Sequence, residues 1–272
     1  MKLSISSLAW QPVEDDTIAD LLVEYRFDGI ELAPTKLWPN LSQVSEKEVK
    51  DYRRFRNNRG LRIVAMQSLL FGRDELTIFD SEAQRDAGVE YFRSVFQVAE
   101  WLGARVLIYG SPRNRHGVDG QDPEIWQTAI DYFRRLGLLA SRYGVCLCIE
   151  PLPRCHPCDF VINAEEGRRL VDLVGQPGFR LHLDSSSMFL ATDDLEQVLQ
   201  AAGGLIKHFH VSEPSLGPVH SDGLVPIPSY MHALARHGYS NWVSIEMLES
   251  KTSESNAVII ENSLEYLRNC VT

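Results

Sequence analysis

Four residues able to hold a metal ion stand at the ends of four successive β-rich runs. VCLCIEP carries Glu150, RLHLDSS carries Asp184, IKHFHVSEP carries His210 and WVSIEML carries Glu246. Three carboxylates and one imidazole form a mostly hard, oxygen-rich donor set. It suits Mn²⁺ or Mg²⁺, with Co²⁺ or Zn²⁺ as further candidates. Four protein donors leave positions open on a six-coordinate ion, and two vicinal oxygens of a sugar or hydroxy-ketone fit them. One acidic residue at a strand end is commonly a helix cap or a salt-bridge partner. Four such ends in strict succession point instead to a shared cation.

These side chains converge only if the strands that carry them are neighbours. Strand-like runs fall at 3–10, 29–33, 62–69, 105–110, 145–150, 180–184, 206–211 and 242–247. Stretches with helical period separate them, at 15–25, 45–59, 81–102, 122–143, 164–174, 193–202, 227–237 and 253–269. The clearest helix has Asp80 or Ser81 as its cap and inward Tyr91, Phe92, Val95, Phe96, Ala99 and Leu102, with Gly103 closing it. Asp122, Pro123 and Glu124 open the next one. Strands alternating with helices predict a parallel sheet. Eight such units predict a closed (β/α)8 barrel, with an open doubly wound sheet as the alternative. No G-x-G-x-x-G or P-loop motif follows any strand, which removes support from the nucleotide-binding versions of that alternative. No linker-like stretch divides the chain, so residues 1–272 read as one barrel domain. Active sites of such barrels lie at the C-terminal ends of the strands. Adjacent strands are about 4.8 Å apart, so four side chains can lean over one half of the mouth and meet.

Composition limits the partners. The 272 residues are 44% hydrophobic and 24% charged, an ordinary globular mixture. The formal charge of −10 opposes association with DNA or RNA. No run reaches the ~20 apolar residues of a membrane span. The amino end, MKLSISSLAWQPVEDD, lacks a signal peptide's apolar region and cleavage site. Five cysteines, an odd number, fit a reduced cytoplasmic protein better than a disulfide framework.

Residues two apart share a strand face. His182 therefore points inward below Asp184, and His208 below His210. Buried polar side chains are costly unless bonded. These two histidines either orient the ligands from behind or are satisfied core residues with no chemical effect; the sequence leaves both open.

The order Glu-Asp-His-Glu on strands five to eight resembles the xylose-isomerase-like TIM barrels. That family includes sugar phosphate isomerases/epimerases, ketose 3-epimerases and endonuclease-IV-type enzymes. The phrases GIELAP, GSPRNR, IEPLPR, HLDSSSM, KHFHVSEP and VSIEM carry the same resemblance along essentially the whole chain. It implies that Glu150, Asp184, His210 and Glu246 bind one divalent ion and that Glu150 and Glu246 act as the acid/base pair. The implied reaction is isomerisation or epimerisation of a keto-sugar, or a related polyhydroxy carbonyl compound, through a metal-stabilised enediolate. The family also suggests a homo-oligomer. Three substrate-gripping positions of free-ketose 3-epimerases differ here: His156 stands for a Glu, Ser187 for a His and Leu216 for an Arg. These departures point to a different substrate. They keep open a lyase, dehydratase or hydrolase acting on a modified sugar, and a non-catalytic sugar-binding relative.

Further candidates for touching substrate are Arg154, just after the first ligand, and Arg113 and His116 in GSPRNRH. His220 in the loop after strand seven and Trp10 at the end of strand one complete the set. Arginine's planar fork suits a carboxylate or phosphate, and an indole can stack on a sugar face. A solvated loop or plain core packing accounts equally for such residues. Glu31, remote in strand order, reads as a structural group bonded inside the barrel. Cys155-His-Pro-Cys158 lacks the second pair or the matched histidines of a zinc site and reads as a loop.

Overall fold

A computed structural model of the chain describes residues 1–250 and 255–271. Eight strands close into a parallel barrel in the order β1 to β8. They are β1 (Lys2–Ser6), β2 (Gly29–Leu32), β3 (Arg62–Met66), β4 (Val106–Tyr109), β5 (Cys146–Ile149), β6 (Phe179–Asp184), β7 (Ile206–Val211) and β8 (Trp242–Ile245). Closure is made by β1 against β8, with Leu3 opposite Val243. Helices follow as α1 (Asp15–Glu24), α2 (Glu46–Asn57), α3 (Glu82–Leu102), α4 (Pro123–Arg142), α5 (Ala164–Val174), α6 (Ser185–Ala191), α7 (Leu195–Ala202), α8 (Ile227–Arg236) and α9 (Asn256–Cys270). This is a single (β/α)8 TIM barrel. Among the described residues no helix is long and apolar enough to cross a membrane.

Local chemistry sets the element ends. Ser81 caps α3 by accepting from the Gln84 N–H at 3.2 Å, and Gly103 ends it at φ +80°, a conformation glycine adopts without steric cost. Asp122 caps α4 through the Glu124 N–H at 2.8 Å. Between barrel and helices lies an aromatic layer. Phe133 meets Tyr109 edge-on at 5.1 Å and stacks on Phe179 at 4.8 Å, locking α4 onto β4 and β6.

Three departures from the expected elements bear on the site. β1 stops at Ser6, because the Ser6 hydroxyl accepts from the Leu8 N–H at 3.2 Å and turns the chain into a 3-10 turn over Ser7–Ala9. Trp10 is thereby carried off the strand end. α6 is an extra helix immediately after β6; Asp184 caps it by accepting from the Ser187 N–H at 2.6 Å. The expected start of the last helix, Ser253, lies outside the described residues.

Candidate metal centre and active site

β6 and β7 are in register with Asp184 opposite His210, and β7 and β8 with His210 opposite Ser244. Glu246, two residues beyond Ser244, shares its face. Glu150 follows directly on β5. One ligating atom from each of Glu150, Asp184, His210 and Glu246 lies within 4.8 Å of every other. The four side chains so converge at the mouth, and all four are buried or nearly so.

The electrostatics of this cluster call for a positive charge. Burial pushes the Glu150 carboxyl well above its usual range, and the nearby Glu246 and Asp184 push it further. Burial also raises Asp184, again with Glu246 adding to it. Three carboxylates cannot share a dry pocket ionised without a counter-charge. The His210 imidazole supplies one: burial opposes its charge, but Glu31 and Glu246 outweigh burial and hold it well above the ordinary histidine value. A divalent cation is the other solution, and the donor set fits one. His210 Nδ1 lies 3.2 Å from Glu246 Oε2, on the side of the ring that faces the carboxylates, and has no other polar neighbour at hydrogen-bond distance among the described residues.

The opposite edge of that ring is fixed. Glu31, fully buried, accepts from His210 Nε2 at 2.8 Å and from His208 Nε2 at 3.1 Å. Burial opposes ionisation of Glu31, yet His210 and His208 hold its carboxyl well below the usual range. An ionised carboxylate only accepts hydrogen bonds, so it forces the Nε2–H tautomer on a neutral His210 and leaves the Nδ1 lone pair for a cation. His182 lies behind, its ring 4.1 Å from that of His210 and edge-on to it. Among the described residues neither of its nitrogens has a side-chain partner, and burial holds it well below the ordinary value, hence uncharged. His208 thus reaches the cluster through Glu31, and His182 by its ring against His210, with one ring nitrogen also within 4.8 Å of a Glu150 oxygen.

The remaining ligands are braced from below. Asp184 accepts from the Ser187 N–H on one oxygen and from the Ser212 hydroxyl on the other. The fully buried Arg115 donates to the Glu150 carbonyl at 2.5 Å, to Gly110 O at 2.7 Å and to Phe160 O at 3.0 Å, tying the ends of β4 and β5 together. Gly110 makes room: a Cβ there would lie 2.4 Å from Glu150 Oε2.

Above the four ligands is a cavity of about 220 Å³, walled by Gln67, Ser68, Gly110, His156, Ser187, Glu213 and Leu216, among others. His156, Ser187 and Leu216, the positions that depart from free-ketose 3-epimerases, all face it. The five candidates for substrate contact do not line it. Arg154 pairs with Asp159 at 3.2 Å and Arg113 with Asp74 at 3.1 Å. His116 and His220 are exposed, and His220 Nδ1 accepts from the Asp222 N–H at 3.2 Å. Trp10 is buried, and its indole N–H donates to Asp15 at 2.6 Å. Gln67 and Glu213 were not singled out, although the rule that picked out the candidate metal ligands reaches Gln67, which directly follows β3. Glu213, inside the KHFHVSEP phrase, accepts from the Leu224 N–H at 2.9 Å and the Val225 N–H at 3.3 Å. It thereby ties down the loop before α8.

The chain belongs to the xylose isomerase-like TIM barrel family, whose model matches residues 19–270. Over 122 residues it is 29% identical to the D-psicose 3-epimerase of Ruminiclostridium cellulolyticum, a stretch that is 44% of this chain and 41% of that protein. The match therefore spans less than half of that relative's length. A solved L-ribulose 3-epimerase has the same fold, with a TM-score of 0.83 and 18% identity over 100% of this chain and 95% of that one. So does the IolI protein, solved with a bound zinc atom, with a TM-score of 0.77 and 19% identity over 100% and 98% of the two chains.

Proposed function

We propose that this protein is a divalent-metal-dependent epimerase or isomerase of a keto-sugar or a related polyhydroxy carbonyl compound. The observation that carries the reading is the convergence of Glu150, Asp184, His210 and Glu246 within 4.8 Å under a small polar-walled cavity. The kinship to a D-psicose 3-epimerase supports the substrate class.

The four residues would hold the ion, which when bound polarises a carbonyl and the neighbouring hydroxyl and so acidifies the carbon between them. The rest falls to the chain. Asp184 has both oxygens tied to α6 and to Ser212, so it acts as a ligand only. Glu150 receives no side-chain hydrogen bond from the described residues, and its proton affinity is raised by burial and by its acidic neighbours. That makes it fit to take up a proton from the substrate. Glu246 stands at the other end of the ligand set. One glutamate removes the proton from one face of the substrate, and the other returns one to the opposite face. Return to the same carbon is epimerisation; return to its neighbour is isomerisation. All five cysteines are free, which suits a reducing compartment such as the cytosol.

The test is turnover of a panel of keto-sugars in D₂O with Mn²⁺-, Mg²⁺-, Co²⁺- or Zn²⁺-loaded protein. Solvent deuterium at carbon with an unbroken skeleton is the expected result. Glu246→Gln should lower the rate by about 10²–10⁴-fold, the usual contribution of a positioned acid or base, while the circular dichroism spectrum stays that of the wild type. Loss of water from the substrate would convert the reading to a dehydratase, and full activity of the variant would end the acid/base role.

A further inference from the structure

A second cavity, of about 350 Å³, opens beside the first on the same face of the barrel. Its lining comes from the segments that follow β1, β2, β3 and β8: Leu8, Ala33, Lys36, Phe71 and Leu248 give its character. The two cavities share Ser68. Leu248 of the annex and Leu216 of the first cavity are joined by the Leu248 N–H donating to Leu216 O at 2.9 Å.

Three properties of this annex identify what it takes. First, size. The metal cavity at 220 Å³ is below the ~300–1,000 Å³ range of sites that enclose a drug-sized ligand, so it holds one small polyhydroxy unit. With the annex the space enters that range. Second, apolarity at an exposed place. Phe71 is 76% exposed and Leu248 48% exposed, and both line the annex. An aromatic side chain held against a cavity offers a flat face to the CH surface of a sugar ring or to an aryl ring. Third, a sparing polar content. Lys36 spends two of its three N–H groups on Ser7 O at 2.9 Å and Trp10 O at 2.6 Å, leaving at most one for a ligand. Gln11 and Glu249 bond to each other across the rim. A second, highly hydrated polyanion would find little here; a ring with one apolar face would.

We propose that the annex is a subsite for a second ring, so that the substrate is a keto-glycoside, with its carbonyl on a carbon other than the anomeric one, or another ring-extended keto-sugar rather than a free monosaccharide. The sugar unit sits over the metal ligands and its aglycone ring lies past Ser68 against Phe71 and Leu248. This deepens the sugar epimerase or isomerase reading and rests on it for the first ring only. The departures at the metal cavity agree: Ser187 and Leu216 carry shorter or apolar side chains where the resemblance implies a His and an Arg, and the annex restores binding energy at a distance from the reacting carbon.

The experiment is saturation-transfer NMR and calorimetry on metal-loaded protein, with 4-nitrophenyl and methyl glycosides of glucose, galactose, mannose and xylose, and 4-nitrophenol as a control. The expected result is that at least one aryl glycoside binds tenfold or more tightly than its methyl partner, with saturation at the aryl protons. Phe71→Ala should remove that advantage and leave the methyl glycoside unchanged. Three results would overturn the proposal. They are aryl and methyl members that bind alike throughout the panel; 4-nitrophenol alone competing as well as the glycoside; and sedimentation that finds Phe71 covered by a second copy, with Phe71→Ala dissociating a dimer. Deuterium incorporation into methyl keto-glycosides, which carry the first ring without the second, reads the metal cavity separately. Its failure with aryl preference intact defeats the catalytic reading and not the annex, and the reverse pattern defeats the annex alone.

Discussion

Strands β5 to β8 deliver Glu150, Asp184, His210 and Glu246 to the mouth, whereas the segments directly after β1, β3 and β4 deliver Ser7, Gln67 and Gly110. Both halves are made of the same βα unit, yet one concentrates charge and the other carries less of it. Crowding three carboxylates is unfavourable, as the raised Glu150 and Asp184 show. The β1–β4 half supplies space: the annex opens largely among its loops, and Gln67, Ser68 and Gly110 complete the wall of the cavity over the acidic cluster. The mouth thus gathers its carboxylates on one side and carries less charge on the other.

The largest effect should come from breaking the charged half. Asp184→Asn should weaken Mn²⁺ binding more than about 100-fold by calorimetry, exceeding the 10–100-fold usual for residues behind a ligand. Gln67→Ala, at the matching place in the β1–β4 half, should cost about fivefold or less, the scale of one neutral hydrogen bond. Equal losses would erase the distinction between the halves. The pH dependence has a definite sign. Protons held on Glu150 and Asp184 compete with the ion, and because both carboxyls are raised, wild-type affinity should fall as pH drops, starting above the usual carboxylate value of about 4. Affinity that is flat across this window would show that neither carboxyl binds the ion.

Glu31 is the exception that sharpens the contrast. It springs from β2, in the β1–β4 half, but runs under the mouth to His208 and His210. It bears charge, though below the cavity wall and not in it. Glu31→Gln keeps the shape and weakens the hold on the His210 Nε2–H. Metal affinity should fall about 10–100-fold, while turnover per bound ion at saturating metal stays near wild type. A turnover loss that persists at saturation would make Glu31 part of the proton chemistry.

The sequence told much about one half and little about the other, for a physical reason. Carboxylates and histidines at strand ends are rare, and period-two alternation fixes which way they point, so Glu150, Asp184, His210 and Glu246 could be singled out as a group, and the structure brings them within 4.8 Å of one another. The eight strand cores were legible for the same reason. Substrate walls are made of ordinary residues placed by loops. Arg113, Arg154, His116 and His220 looked functional by type, but loop paths turned them to Asp74, Asp159 or solvent. Trp10 was lost to a turn begun by one serine hydroxyl. α6 was missed because its cap is Asp184 itself: a residue read as a ligand was not also read as a helix start, although Asp before Ser-Ser-Ser supports both. His156, Ser187 and Leu216 came to notice only as departures from related enzymes, and it is those that face the cavity.

The smallest expected change in metal affinity lies where the halves meet. Gly110 follows β4 and belongs to the β1–β4 half, but its missing side chain serves Glu150, whose Oε2 would be 2.4 Å from an added Cβ. The obstructed atom is the tip of a flexible side chain, so Gly110→Ala should fold normally and shift the carboxylate aside. Three ligands and the backbone clamp by Arg115 remain, so Mn²⁺ affinity should change little. Proton transfer is less forgiving, since misplacement by about 1 Å can cost about 10² in rate. A shift of part of that distance should slow deuterium exchange about tenfold at saturating metal. If affinity collapses while the rate per bound ion holds, the space beside Glu150 serves coordination rather than chemistry, and the β1–β4 half contributes to the metal site after all.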